Sequence, residues 1–205
     1  MFNYTAMGVG NHDFDDGPDG LLPFVQECDF PVLGANLQLE NFPELNDYIE
    51  NSTIGRHYFV TKKYIYLDSE FSYWCSTNVN ISVDLITVQM ADGTQVGIIG
   101  YIVKDRSVYS VESIANITLI DEIEAVAAEA KRLKNLGINI IIAAGHAGYD
   151  LDMRMAEQVE DLDLVVGGHS HTYLFTEENG NVPPSIERPR GDYPTYVKQL
   201  NSGKH

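Results

Sequence analysis

The chain has 205 residues, and its 30 Asp and Glu against 13 Lys and Arg give a net charge of -17 at pH 7. The length predicts one domain with a substantial core. The charge argues against nucleic acid as a partner, because phosphate backbones are bound by basic patches. The longest apolar run, residues 138–144, is too short to span a bilayer and predicts no transmembrane segment.

The beginning of the chain predicts two short strands separated by a helix. Residues 4–9 are typical of a short buried strand. Pro18 lies where a first helical turn tolerates proline, and residues 21–25 give a brief helical face that ends near Asp29. Residues 30–35 predict the second strand, which begins beside a proline.

The stretch that follows predicts less regular structure. Residues 41–52 are polar and acidic, which is typical of a loop or a short helix, and residues 57–67 are consistent with a hairpin. Aromatic residues are dense between 58 and 74. They indicate either a surface that stacks on a ligand or, as the favoured alternative, the ordinary packing of an irregular insertion.

The middle of the chain predicts a hairpin, a helix and a strand. Residues 81–88 and 95–102 flank the turn signature Asp92-Gly93, which predicts a β-hairpin. Residues 120–136 have apolar positions at helical spacing, with acids in the first turn and bases in the last. The β-branched run 138–144 predicts a parallel strand that is buried on both faces.

The last third of the chain predicts a further helix and strand and then less regular structure. Residues 150–160 predict a helix, and residues 163–166 predict a further buried strand. The order helix, strand, helix, strand over residues 120–168 predicts a right-handed crossover unit in an α/β sheet. Residues 177–191 are typical of an exposed loop, and residues 193–200 predict one more strand.

Three glycine-flanked motifs follow predicted strands and carry four of the six histidines. Asn11 and His12 follow the first strand, His146 follows a central strand, and His169 and His171 follow the last strand of the crossover. Because ligands of open α/β sheets bind at the carboxyl ends of the strands, we expect these side chains to meet if the strands are neighbours. The alternative is that each is a polar residue of a turn or strand end.

Imidazole and amide groups suit a borderline divalent metal such as Zn, Mn or Fe, and the sequence contains no thiolate cluster. Such a metal activates water and neutralises the charge that develops on a phosphate. His12 and Asp15 are spaced as a pair in which Asp15 holds the ring and His12 contacts the phosphate or leaving-group oxygen. The sequence has no Gly-x-Ser-x-Gly elbow or Walker loop that would indicate a different chemistry.

Four motifs follow one another along the chain: Gly10-Asn11-His12-Asp13-Phe14-Asp15, Pro31-Val32-Leu33-Gly34-Ala35-Asn36, Gly145-His146-Ala147-Gly148 and Gly167-Gly168-His169-Ser170-His171-Thr172. In order and spacing they resemble the 5'-nucleotidase/apyrase family of calcineurin-like metallophosphoesterases. The resemblance extends over nearly the whole chain and depends on the combination of motifs. It implies an α/β fold of metallophosphoesterase type, with sheet layers flanked by helices in a four-layer α/β/β/α arrangement in the intact family.

The resemblance also implies a site for two divalent metal ions, Zn or Mn. His12 and Asp15 would form the catalytic dyad that stabilises the transition state. Asp13 stands where the family has a glutamate, and Ala147 where it has a serine. By motif position, the second metal would be bound by Asn11, His146 and His169, and the first metal by His171.

Other parts of the family pattern have no counterpart in this sequence. An Asp-x-His and a later Gly-Asp normally supply the remaining first-metal ligands, and neither precedes Asn11. The C-terminal domain that holds the nucleoside base is not matched either. We therefore expect residues 1–205 to be a single catalytic domain, an internal fragment without these two parts and with an incomplete first-metal site. Residues about 50–80 resemble an insertion.

The function that the resemblance implies is metal-dependent hydrolysis of nucleotide phosphate esters, of 5'-nucleotidase or apyrase type, with AMP, ADP or ATP as substrate. Two alternatives stay open. One is a catalytically inactive homologue that binds nucleotides or a protein partner, and the other is a related phosphodiesterase.

Two further features concern the location of the protein. Four N-x-S/T triplets begin at Asn3, Asn51, Asn80 and Asn116, and together they favour an exported, glycosylated protein. The expected location of the parent protein is therefore extracellular, secreted or anchored to the surface. Two cysteines, Cys28 and Cys75, are compatible with a disulfide or with two buried thiols.

Overall fold

The computed structural model describes residues 4–28, 30–45, 95–110, 112, 114–177 and 186–203, and the backbone of residues 86–89. The hairpin predicted at 57–67, the insertion at about 50–80 and Cys75 lie outside the described residues. Within the described ranges, no helix is both long enough and apolar enough to cross a membrane.

Strands and helices alternate along the described chain, which confirms the predicted α/β class. The strands are β1 Met7–Gly8, β2 Val32–Leu33, β3 Leu37–Gln38, β4 Ile86–Gln89, β5 Gln95–Ile102, β6 Thr118–Leu119, β7 Ile140–His146 and β8 Leu164–Val166. The helices are α1 Gly17–Glu27, α2 Glu122–Asn135 and α3 Tyr149–Gln158, with two 3₁₀ helices, η1 Asn11–Phe14 and η2 Arg106–Val108.

The largest sheet of the described residues has the strand order β4-β5-β7-β8. β4 pairs antiparallel with β5, which confirms the predicted hairpin strands. β5, β7 and β8 are parallel, as the crossover prediction requires, and Ile102 at the end of β5 lies opposite His146 at the end of β7. The strands predicted at 4–9 and 30–35 are confirmed only as the two-residue parallel pair β1 and β2.

The predicted helix at 120–136 is confirmed as α2, and its caps explain its bounds. The Asp121 side chain accepts hydrogen bonds from the backbone N–H groups of Ile123 and Glu124, so it satisfies donors that have no partner within the helix. Gly137 follows the end with a φ of 87°, a conformation that glycine adopts without the steric cost of a side chain.

Besides a small cluster formed by Leu33 and Ile98, two larger apolar clusters form the described core. One packs η1 and α1 against β2 and the end of β5, and it includes the fully buried Phe14 and Ile102. The other packs α2 and α3 against one face of the largest sheet, with Val126 and Met155 fully buried. Ala147, next to His146, packs against both clusters. The end of β7 is therefore held from both sides.

The prediction that residues 138–144 form a strand buried on both faces is wrong for one face. Ile141 is fully buried against the helices, but Ile140 is 39% exposed on the other face, and Val166 of the neighbouring strand is 53% exposed. β2 packs closely over this second face at Gly100, where an added Cβ would overlap the β2 backbone. The cover that β1 and β2 provide is thus confined to the carboxyl ends of the strands.

The strand predicted at 193–200 is also wrong. The N–H and carbonyl groups of Tyr193 both bond to the Thr176 hydroxyl rather than to a neighbouring strand. Pro194 has no N–H to donate to a ladder. The Gln199 side chain instead anchors the segment by donating to the carbonyls of Val159 and Leu162.

Candidate functional site

The first motif of the site lies in η1, directly after β1. The Gly10 N–H donates to Asp13 Oδ2 at 2.8 Å, which closes the first turn. Asn11 and Phe14 are buried, whereas His12 and Asp15 are exposed. The burial of Phe14 therefore directs Asn11 into the molecule and leaves His12 and Asp15 facing solvent.

The orientation of the Asn11 amide is set by two contacts from distant parts of the chain. Its Nδ2 donates to the Val108 carbonyl at 3.2 Å, so its Oδ1 faces the other way. That oxygen lies 3.1 Å from Nδ1 of His169. Because an amide oxygen only accepts, Nδ1 of His169 is the donor in this contact.

His146 and His169 lie in edge-to-face contact, with ring centroids 5.1 Å apart and an interplanar angle of 66°. Burial lowers the pKa of His146, and the nearby His169, His12 and His171 act in the same direction, while Asp13 opposes them. A lowered pKa keeps the imidazole of His146 neutral near pH 7, which is the form that binds a metal.

The backbone of the last motif has an uncommon conformation. His169 and His171 have φ values of 76° and 50°, in the left-handed region that side chains other than those of Gly, Asn and Asp rarely adopt. Between them, the Ser170 hydroxyl accepts from the Tyr149 N–H at the start of α3 and bonds to Thr172. Such strain at a candidate site indicates a functional constraint on the backbone.

His12 and Asp15 form an exposed pair on the solvent side of the cluster. Nδ1 of His12 lies 2.9 Å from Oδ2 of Asp15, and their side chains are 79% and 62% exposed. A carboxylate only accepts, so Nδ1 is the donor, and Nε2 lies on the opposite side of the ring. The structure thus places these two residues in the spatial relation that their spacing predicts.

Asn11 and His146 therefore both contact His169. His12 and His171 are close enough to act electrostatically on His146. Two imidazoles and one amide oxygen are a suitable donor set for a borderline divalent ion. An ion bound by both atoms would replace the proton that Nδ1 of His169 donates to Asn11 Oδ1 across 3.1 Å.

Within the part of the chain that the structure describes, no three His, Cys, Asp or Glu side chains are grouped to hold a metal. The three-donor cluster here is completed by an asparagine.

Three residues that support this cluster have no role in the sequence prediction. Asn36 ends the second motif and bonds both the N–H and the carbonyl of Ile102, opposite His146. Tyr101 donates to Asp152 at 2.6 Å beneath β7. The glycines of the motifs are the available signal for the last two, because they mark where another group approaches the backbone.

The comparisons with known proteins identify the family of the chain. The family model for calcineurin-like phosphoesterases matches residues 3–173. The chain belongs to the calcineurin-like phosphoesterase family. The match contains all three histidine motifs and their strands.

The chain is similar to vertebrate 5'-nucleotidases. It is 35% identical to the 5'-nucleotidase of Mus musculus over 198 residues and 36% identical to that of Homo sapiens over 195 residues. These alignments cover 96% and 95% of the chain but 28% of each relative. The chain therefore spans just over a quarter of the length of these phosphoesterase relatives.

The fold is also similar to that of a solved structure. The 5'-nucleotidase precursor of Thermus thermophilus superposes with a TM-score of 0.71 and 27% identity, over 98% of this chain and 32% of that one. The metallophosphoesterase fold that the motifs predict is thereby confirmed, and the family is one that normally uses divalent metals.

Proposed function

We propose that this phosphoesterase chain takes part in metal-dependent hydrolysis of the phosphate esters of nucleotides, as a 5'-nucleotidase or an apyrase. The observation that carries the proposal is the contact of both Asn11 and His146 with His169, close to the exposed pair of His12 and Asp15. The names of the relatives support a nucleotide as the substrate class.

Each residue of the site has a role in the proposal. His146 and His169, with the Asn11 oxygen, would hold one divalent ion, and His171 would contribute to a second. The ions, when bound, supply an activated water and neutralise charge on the phosphate oxygens. Zn and Mn are the ions that the donor set favours.

His12 acts on the substrate from the solvent-exposed side. Its Nε2 faces away from Asp15 and, when protonated, donates to the developing negative charge or to the leaving oxygen. The Asp15 carboxylate holds the opposite ring nitrogen at 2.9 Å, which fixes the orientation of the ring. The high exposure of the pair leaves room for a nucleotide to approach.

Phosphate release from AMP, ADP and ATP, measured with added Mn²⁺ or Zn²⁺, tests the proposal. We expect His12→Ala to lower the rate by about a hundredfold or more, because a positioned acid contributes roughly that much. Asp15→Asn should lower the rate less than His12→Ala does, because the imidazole of His12 is still present. Asp19→Asn is the matched control, since it removes an exposed carboxylate on α1 that does not contact His12.

Loss of activity in His12→Ala but not in Asp19→Asn would support the phosphoesterase function. Hydrolysis of a phosphodiester in preference to all three nucleotides would replace it with a phosphodiesterase function. Nucleotide binding without phosphate release, with or without metal, would contradict hydrolysis and favour an inactive binding protein.

We also propose that the parent protein is extracellular. Of the four N-x-S/T triplets, the one at Asn116 lies in the described part of the chain, where Asn116 and Thr118 are both exposed. Exposure is the condition that glycosylation of a folded surface requires. Secretion of the full-length protein from a eukaryotic host, with a mass that falls after glycosidase treatment, would support this location, and retention in the cytosol would contradict it.

A further inference from the structure

A buried tyrosine–aspartate pair lies beneath the two strand ends that carry His146 and His169. Tyr101 of β5 is fully buried, and its hydroxyl donates to Oδ1 of Asp152 at 2.6 Å. Asp152 lies in the first half of α3 and is 9% exposed. The pair joins two residues that are 51 positions apart in the sequence.

The tyrosine ring supports the backbone next to His146. Tyr101 lies opposite Gly145 in the register of β5 and β7. A Cβ added at Gly145 would overlap the Tyr101 ring, so the ring occupies the space that a side chain would need. The backbone of Gly145 therefore lies directly on the ring, one residue before His146.

The aspartate supports the backbone that leads to His169 in the same way. A Cβ added at Gly167 would overlap Oδ2 of Asp152. Gly167 follows the end of β8 and precedes His169 by two residues. One carboxylate thus accepts from Tyr101 with one oxygen and contacts the second histidine segment with the other.

A packing role alone would not require these polar groups, because a buried hydroxyl and carboxylate lose solvation that an apolar pair would not lose. Burial raises the pKa of Asp152 to about 6, which is a sign of this loss. The polar pair instead provides a hydrogen bond of fixed length and orientation. A short hydrogen bond fixes the carboxylate at one distance from both glycine backbones.

We propose that Tyr101 and Asp152 are positioning residues that set the separation of His146 and His169 by holding the two glycine segments in contact with a single hydrogen-bonded pair. The proposal rests on the proposed metal-dependent function for its consequence, which is the affinity of the histidine cluster for a divalent ion. Both residues are buried, so they act through the backbone of the motifs.

The separation of the His146 and His169 rings can be measured in the metal-free 205-residue chain. The histidine rings at 5.1 Å should give a proton–proton nuclear Overhauser effect in a chain labelled with ¹³C-histidine. We expect this signal to weaken in Tyr101→Phe and in Asp152→Ala. Asp152→Asn should largely keep it, because the amide oxygen still accepts from Tyr101. Circular dichroism checks that each variant is folded.

Cobalt binding provides the functional readout, with Co²⁺ alone as the probe and its d–d absorption as the signal. Loss of a group that orients ligands typically lowers metal affinity by about tenfold to a hundredfold, and we expect the same range for Tyr101→Phe. Gln199→Leu is the matched control, because it removes two buried hydrogen bonds at the other end of α3. It should lower stability and leave the Co²⁺ affinity unchanged.

An unchanged ring-to-ring signal in folded Tyr101→Phe and Asp152→Ala would overturn the positioning role. If Asp152→Ala does not fold, Tyr101→Phe decides the question, because it keeps the ring over Gly145. If the unaltered chain binds no Co²⁺, the proposed metal-dependent function fails, while the signal from the metal-free chain still supports or overturns the positioning role.

Discussion

The raised pKa of Asp152 predicts that this residue makes the stability of the protein depend on pH. Burial raises its pKa from 3.8 to about 6, so the folded chain holds a proton that the unfolded chain releases. The contribution of Asp152 to the free energy of unfolding is therefore complete below pH 3.8 and is lost as the pH rises through about 6. Asp152→Asn should abolish this dependence, because an amide does not titrate.

The size of the effect follows from the two pKa values. A full shift of about two pKa units corresponds to roughly 3 kcal/mol over the whole range. Because the isoelectric point is about 4.5, where proteins are least soluble, the practical range is pH 5 to 7. Over that range the two pKa values give a loss of about 1 kcal/mol in the unaltered chain relative to Asp152→Asn.

Urea unfolding followed by circular dichroism, in EDTA and at half-unit steps of pH, measures this difference. About 1 kcal/mol shifts the midpoint by roughly half a molar for an m-value near 2 kcal/mol/M. Asp19→Asn serves as the control for loss of one exposed carboxylate. A difference between the unaltered chain and Asp152→Asn that stays constant from pH 5 to 7 would refute the reasoning, because it would mean that Asp152 is charged in the folded protein.

Three further predictions concern single features of the fold and site. Gly145→Ala should lower the free energy of unfolding by about 1–3 kcal/mol, since its Cβ would overlap the Tyr101 ring, and an unchanged melting temperature would contradict this. Asp121→Ala should lower it by about 1 kcal/mol through loss of the α2 cap, which urea unfolding measures. Removal of metal with EDTA should abolish phosphate release, and added Mn²⁺ should restore it; release that persists in EDTA would argue against metal dependence.

The second half of the fold is predictable from the sequence because its signals are local. Helix α2 has apolar residues at helical spacing, a capping aspartate and a terminal glycine, and its observed bounds of 122–135 lie within the predicted 120–136. The parallel strands follow from β-branched runs that are separated by helices. These patterns need no information from distant parts of the chain.

The errors arise where distant groups decide the outcome. Residues 193–200 contain Tyr, Thr and Val, which favour strands, but the Thr176 hydroxyl bonds to both backbone groups of Tyr193. The run 138–144 is apolar throughout, but its second face is covered only where β2 crosses Gly100. Hydrophobicity indicates that a strand can be buried, and only the tertiary arrangement determines how much of it is.

The candidate site shows the same division between the proposed ligands and the residues that support them. The histidines and Asn11 are recognisable in the sequence because the chemistry restricts the residue types and each lies at or just after the end of a strand. Their support comes from pairs such as Tyr101 and Asp152, 51 residues apart, which no local pattern connects. The glycines of the motifs connect the proposed ligands with the residues that support them. Gly145 and Gly167 lack positive φ values and are instead the points where the buried pair contacts the backbone of the motifs. A glycine beside a candidate ligand therefore indicates that a buried side chain packs against its backbone. That buried side chain in turn determines where the ligand lies.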